Sequence, residues 1–202
     1  MKQKSEEKTR MTRKEAVIRA ATELFARRGY SATPTSEIAQ AACVAEGTIF
    51  HHFKTKEGIL LYIVKDMLDA YIQGIEVQAQ EAGNGLEAIR GGIRFHFRFI
   101  EERSGEVMVI LRDFPFQLME ADSPFREVVT TRFFHLVTFF RDYIEVGQKD
   151  GSIRSVSAEK MAFILMGMLN GLGRQKLLWP LKIPDLCQEV LDFCHNSLSK
   201  KG

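Results

Sequence analysis

The residues best suited to chemistry lie in one stretch, Thr33 to Lys56, which runs TPTSEIAQAACVAEGTIFHHFKTK. Thr33, Thr35, Ser36 and Thr48 offer hydroxyls, His51 and His52 offer ring N–H groups, and Lys56 offers an ammonium. Such groups bind phosphate oxygens rather than break bonds. Ala45, Glu46 and Gly47 are small or acidic, and Phe50 is a bare ring. A carboxylate beside these donors repels phosphate but can accept from a cytosine amine, and a ring can pack on a thymine methyl. Catalytic patterns are missing. There is no metal-spaced His/Cys cluster, no Gly-rich loop after a strand and no G-x-S-x-G, so no metal or cofactor is expected. Asp66, Asp69, Glu101 and Glu102 read as solvated helix faces.

Helices must position these groups. Thr12 and Glu15 form a capping-box pattern ahead of Val17, Ile18, Ala21, Leu24 and Phe25, and Gly29 stops that helix. Thr33 is expected to cap a second helix with Pro34 at its first position. A break near Cys43 precedes a third short helix from about Ala45 to His52. Lys54 and Thr55 then lead into a long helix striped by Ile59, Ile63, Met67 and Ala70. Two short helices joined by a tight turn form a helix-turn-helix, whose second member fits a major groove about 12 Å wide.

The rest also has helical spacing, so the fold class is all-α. Helices are expected from Leu86 to Glu102, Val107 to Glu120 with a kink at Pro115, Pro124 to Val146, Ser157 to Trp179, and Asp185 to about Leu198. The division predicted is a mobile arm, 1–11, a DNA-binding domain, 12–58, and a helical body, 59–202.

Charge follows that division. The chain carries a net +2, yet residues 1–56 hold 11 Lys and Arg against 6 Asp and Glu, and the remainder 17 against 20. A basic head suits a polyanion, and equally suits a solvated tail. No apolar run approaches the roughly 18 residues of a spanning helix, and the charged first fourteen residues do not read as a secretory leader. Cys43, Cys187 and Cys194, sparse and odd in number, fit a reducing cytoplasm.

The head resembles the TetR family of regulators over about residues 12–62. The resemblance rests on Glu23-Leu24-Phe25, Gly29-Tyr30, Thr33, Ile38, Ala39, Ala42, Val44, Gly47, Thr48, Ile49, Phe50, His52, Phe53, Lys56 and Glu57. It implies an N-terminal three-helix DNA-binding domain, a larger ligand-binding and dimerising domain, and a homodimer on a palindromic operator, released by a small molecule. The implied DNA contacts are Thr33, Thr35, Ser36, Ala45, Glu46, Gly47, Thr48, Phe50, His51, His52 and Lys56. Cys43 stands where the family usually has glycine. If the backbone there needs a positive φ, the thiol residue costs on the order of 1 kcal/mol; otherwise the turn differs. Phe50 replaces a common tyrosine, and Ala45 a common capping serine.

The body, residues 57–202, holds twelve of fifteen Phe and six of eight Met. That composition suits an adaptable apolar pocket or an ordinary core. Pocket candidates are Phe95, Phe99, Met108, Leu111, Phe114, Met119, Phe134 and Met166, with His96, Arg112 and Asn170 as polar members. A lipophilic or aromatic effector is expected. Gly167, Gly171 and Gly173 thin one helix, for close packing within the chain or between chains. Dimer candidates are Phe163, Gly167, Gly171, Leu178, Leu186, Val190, Phe193 and Cys194. The rival readings are an effector-independent architectural or division factor and an all-helical enzyme.

Overall fold

The computed structural model describes residues 11–112, 119–120, 122–179 and 184–200. Among them are nine α-helices: α1 (Arg13–Arg28), α2 (Thr35–Ala41), α3 (Glu46–Phe53), α4 (Lys56–Gln80), α5 (Gly85–Glu102), α6 (Ser104–Arg112), α7 (Pro124–Asp150), α8 (Ala158–Leu178) and α9 (Cys187–Leu198). The described residues are all-α, as expected, apart from one isolated antiparallel bridge between Ile153 and Ser199. No helix among them is long and apolar enough to cross a membrane.

Local chemistry explains most boundaries. The Thr12 hydroxyl accepts from Glu15 N at 3.2 Å, and the Glu15 carboxylate accepts from Thr12 N at 2.7 Å, the predicted capping box. Thr55 Oγ1 caps α4 by accepting from Gly58 N at 3.0 Å. Asn84 caps α5 and Ser123 caps α7, with Pro124 at the first helical position, where its missing N–H is not needed.

Three expectations need correction. Pro34, not Thr33, occupies the cap position of α2, and no side chain bonds there. Thr33 is fully buried, and its hydroxyl donates to the Gly29 carbonyl at 2.8 Å, closing the end of α1 instead. α6 begins at Ser104 rather than at Val107, and it is described as far as Arg112. The Arg103 guanidinium ties this corner by donating to Asp66 and Glu106, each at 3.0 Å. Pro115 and the kink expected there lie outside the described residues. α7 runs through Gly147 to Asp150. Gly147 lies inside it where Ile153 packs closely: a side chain at Gly147 would place a carbon 2.5 Å from Ile153 Cδ1, and one at Gly85, where α5 begins, 2.2 Å from Gly147 N.

Two apolar cores result. The head core joins α1, α2, α3 and the first half of α4, with Ile38, Ile49, Phe25 and Ile59 fully buried. The body core surrounds α5, buried on most of its faces against α4, α7, α8 and α9. α4 serves both, through Ile59, Leu60, Ile63 and Val64 in the head and Met67, Tyr71, Ile75 and Ala79 in the body. Val109 of α6 and Phe125 of α7 also belong to the head core, although they follow the body's first helices in sequence.

Candidate nucleic-acid interface and ligand cavity

The α2–α3 joint is held by backbone bonds: Ala42 N to Ile38 O at 2.9 Å, Cys43 N to Gln40 O at 3.1 Å, and Val44 N to Ala39 O at 3.0 Å. Cys43 sits at φ 53, in the left-handed region that favours glycine. The turn therefore keeps its geometry, and the cysteine carries the strain. α3 starts from Ala45 with no side-chain cap.

Inward, Ile49 and Phe53 lock α3 onto the core. Outward, Ala45, Glu46, Gly47, Phe50, His51 and His52 are exposed, as is Ser36 on α2; Thr35 and Thr48 are half-buried. Phe50 is 48% exposed, a high value for an apolar ring. The two imidazoles meet edge to face, 5.0 Å apart. Thr35 Oγ1 donates to Glu46 Oε1 at 2.8 Å, so hydroxyl and carboxylate answer each other across the two helices. Nothing lies within 4 Å of where a Gly47 side chain would begin, leaving the backbone there open to approach.

Two of the sequence candidates are placed otherwise. Thr33, buried beneath α2, presents nothing outward. Lys56 turns back: its Nζ donates to the Tyr30 carbonyl at 3.0 Å and sits 4.4 Å above the Tyr30 ring. That position ties α4 to the loop after α1. Lys54, not singled out from sequence, is exposed at φ 65 and ψ −45, with Thr55 N donating to Phe53 O at 2.8 Å. This is a tight three-residue turn. Gly58 must follow it, because a side chain there would meet Phe53 O at 2.1 Å. The signal for Lys54 was the Lys-x-Lys spacing, but nothing in the spacing says which ammonium is turned outward.

The body encloses a cavity of about 320 Å³. α4 supplies Met67, Leu68 and Tyr71; α5 His96, Phe99 and Ile100; α6 Val107, Ile110 and Leu111; α7 Val129, Phe133 and Leu136; and α8 Met166, Leu169, Asn170, Gly173 and Arg174. Five sequence candidates line it: His96, Phe99, Leu111, Met166 and Asn170. The others stand elsewhere. Phe95 is buried against Tyr71 and Phe99, and Met108 is half-buried but not in the wall. Arg112 donates to the Ala26 carbonyl of α1 at 3.3 Å. Met119 packs on the head core, and Phe134 is 57% exposed. Phe114 lies outside the described residues. Sequence reasoning missed Tyr71, Ile110, Phe133 and Arg174, since nothing local separates a cavity-lining Ile or Phe from a core one.

Within the wall, Tyr71 Oη and His96 Nδ1 are 2.8 Å apart, and His96 Nε2 lies 3.0 Å from the Leu169 carbonyl oxygen. Burial pulls the His96 pKa down to about 4, so the ring is neutral at neutral pH. Burial likewise pushes the Tyr71 phenol up. At the exposed edge, Asn170 and Arg174 are the remaining polar residues. Among the described residues Arg174 has no ion pair.

On the outer face of α8, Phe163 and Ile164 are 44% and 57% exposed, and Gly167 and Gly171 have open space where side chains would begin. Gly173 instead faces inward toward Ile100 and His96. On α9, Phe193 is 59% exposed. Leu178 and Leu186 are half-buried. Val190 and Cys194 are turned into the chain's own core, at 6% and 1% exposure.

Residues 17–63 match the model of the bacterial regulatory proteins of the tetR family. The chain is 32% identical over 143 residues to the HTH-type transcriptional repressor KstR2 of Mycolicibacterium smegmatis, covering 71% of this chain and 68% of the relative. In fold it is similar to AibR in complex with isovaleryl coenzyme A and operator DNA, with TM-score 0.73, 23% identity, and 93% and 98% of the two chains covered. It is likewise similar to FadR of Bacillus subtilis in complex with stearoyl-CoA, with TM-score 0.76, 22% identity, and 90% and 97% covered.

Proposed function

Because this chain belongs to the TetR family of bacterial regulatory proteins, it is a DNA-binding transcriptional regulator, and we propose that it is a cytoplasmic repressor that grips a palindromic operator as a homodimer and releases it when an acyl thioester fills the body cavity. Residues 12–58 are the DNA-binding unit and 59–202 the effector and dimer unit, joined through α4. Its task is binding, not turnover.

The observation that carries this reading is the double membership of α6. Val109 is buried in the head core, while Val107, Ile110 and Leu111 line the cavity. Arg112 also holds α1 by its carbonyl. A ligand that displaces the cavity side of α6 therefore moves α1, against which α2 and α3 pack. Coupling of this kind requires only that the ligand fit one position of α6 better than the other.

The class of effector follows from the wall. A volume near 320 Å³ is at the lower end of the roughly 300–1,000 Å³ usual for small-molecule sites. Apart from the Tyr71–His96 pair the lining is apolar inside, and it ends at Arg174, which has no ion pair among the described residues; this suits an apolar tail on an anionic carrier. The acyl-CoA bound by AibR and by FadR has that chemistry. An effector-independent factor would have filled this space with its own side chains. The exposed Phe163, Ile164, Gly167, Gly171 and Phe193 are the surface we assign to the dimer.

On DNA, Ser36, Ala45, Gly47, Thr48, Phe50, His51 and His52 are the contacts we assign, with Thr35 and Glu46 available once their mutual bond opens. Lys54 adds a cation. The test is to select bound sites from random DNA and then titrate the complex with hexanoyl-CoA, decanoyl-CoA, stearoyl-CoA and free coenzyme A. Release by one acyl form, but not by coenzyme A alone, is expected. Arg174→Ala should raise the concentration required about tenfold, as for a lost charged contact. Operator affinity unchanged by every thioester removes the effector from the proposal.

A further inference from the structure

The cavity also carries a direction. His96 Nε2 points at the Leu169 carbonyl, which can only accept, so Nε2 bears the ring proton. In a neutral imidazole the other nitrogen is then bare, and Nδ1 must accept. The Tyr71 hydroxyl, 2.8 Å away, is therefore the donor. Every proton in this short chain is committed, and the Tyr71 oxygen keeps only lone pairs. The low pKa of His96 supports the neutral ring that this ordering needs.

Resting on the effector reading above, we propose that the cavity selects a ligand bringing a hydrogen-bond donor, a hydroxyl or an N–H, to the Tyr71 oxygen, and rejects one bringing a carbonyl or carboxylate there. Among the described residues the neighbouring wall offers no substitute partner: Met67, Phe99, Ile100, Leu136 and Met166 are apolar. The other polar lining residues, Asn170 and Arg174, are exposed at the edge rather than buried beside Tyr71 and His96. A ligand carbonyl at this depth would set lone pair against lone pair in an apolar surround, where an unmet polar group is costly. Of two acyl ligands alike in length, the one hydroxylated where its chain passes Tyr71 binds more tightly.

The experiment uses three neutral fragments of similar shape: para-propylphenol, which donates, para-propylanisole, which cannot, and para-propylbenzaldehyde, which only accepts. Binding to the full chain is followed by calorimetry, with circular dichroism as the check on folding. The phenol should bind about tenfold more tightly than the anisole, the size of one net hydrogen bond, with the aldehyde weakest. His96→Phe frees the Tyr71 proton, so the order should turn toward the aldehyde. A merely structural role for His96 would weaken all three alike. Tyr71→Phe alone leaves the His96 Nδ1 lone pair to accept from the phenol, so it is Tyr71→Phe combined with His96→Phe that should erase the ranking. Fragments that bind the wild type without preference for the phenol overturn the proposal and leave the effector cavity standing. If none of the three binds, the cavity reading fails and this proposal falls with it.

Discussion

The outer face of α3 and the wall of the cavity handle polar groups in opposite ways. On α3 the imidazoles of His51 and His52 and the carboxylate of Glu46 stand at the surface. In the cavity Tyr71 and His96 are buried, and each has an assigned partner. The first arrangement leaves water to be replaced by a polyanion with many oxygens, and tolerates imprecision. The second leaves one oxygen to be satisfied, and tolerates little. Broad grip and narrow selection thus sit in one chain, joined by helices that belong to both cores.

The sharpest way to break this division is at its joint. Phe125 lies on α7, a body helix, yet is fully buried in the head core. Phe125→Ala should cost about 3–5 kcal/mol in urea denaturation, the usual range for a buried Phe. Operator affinity should fall with it. A loss below about 1 kcal/mol would mean that the head is complete without the body.

The next largest effect separates two lysines. Lys56→Met should lower stability by about 1 kcal/mol, through loss of its bond to Tyr30. Lys54→Met should leave stability unchanged and flatten the salt dependence of operator binding by about one counterion. The opposite pattern would return Lys56 to the DNA face. Cys43→Gly should then stabilise by about 1 kcal/mol, because φ 53 costs glycine nothing. Thermal unfolding of the two proteins measures it.

The smallest effect compares one carboxylate from each region. Bonds from the Thr12 backbone and hydroxyl hold the Glu15 carboxyl below its usual range. Bonds from Ser152 and the Gly85 N–H do the same for Asp150. Each is easier to ionise folded than unfolded. The stability each contributes is therefore present above the unfolded pKa and fades as pH falls through the lower folded value. Glu15→Gln and Asp150→Asn should each flatten the acid limb of an unfolding profile, and leave its slope near neutrality unchanged.

The head was legible in the sequence because its pattern is contiguous. Capping box, turn and the inward residues Ile38 and Ile49 follow from neighbours within a few positions, and the strain at Cys43 was foreseeable from residue type. The cavity was only half legible because its wall comes from five helices. Phe133 lines it while Phe134 points to solvent, and one step of about 100° along α7 decides which. Val190 and Cys194 share the spacing of Phe193's helix, yet α5 claims them. Such choices are made by packing between distant segments, which local spacing does not record.

The double allegiance of α4, α6 and the start of α7 bears on how such a protein can be recombined. A cut after residue 58 carries away the recognition helix but leaves Val109 and Phe125 behind, and with them part of the floor on which α1 rests. A chimera built at that point would pair the head with a foreign floor, so its fit would depend on the donor's side chains at those two places. Heads and bodies of this kind can be exchanged only where the borrowed body matches that small apolar seat. New operator preferences therefore arise more readily by replacing side chains on α3 than by shuffling whole segments.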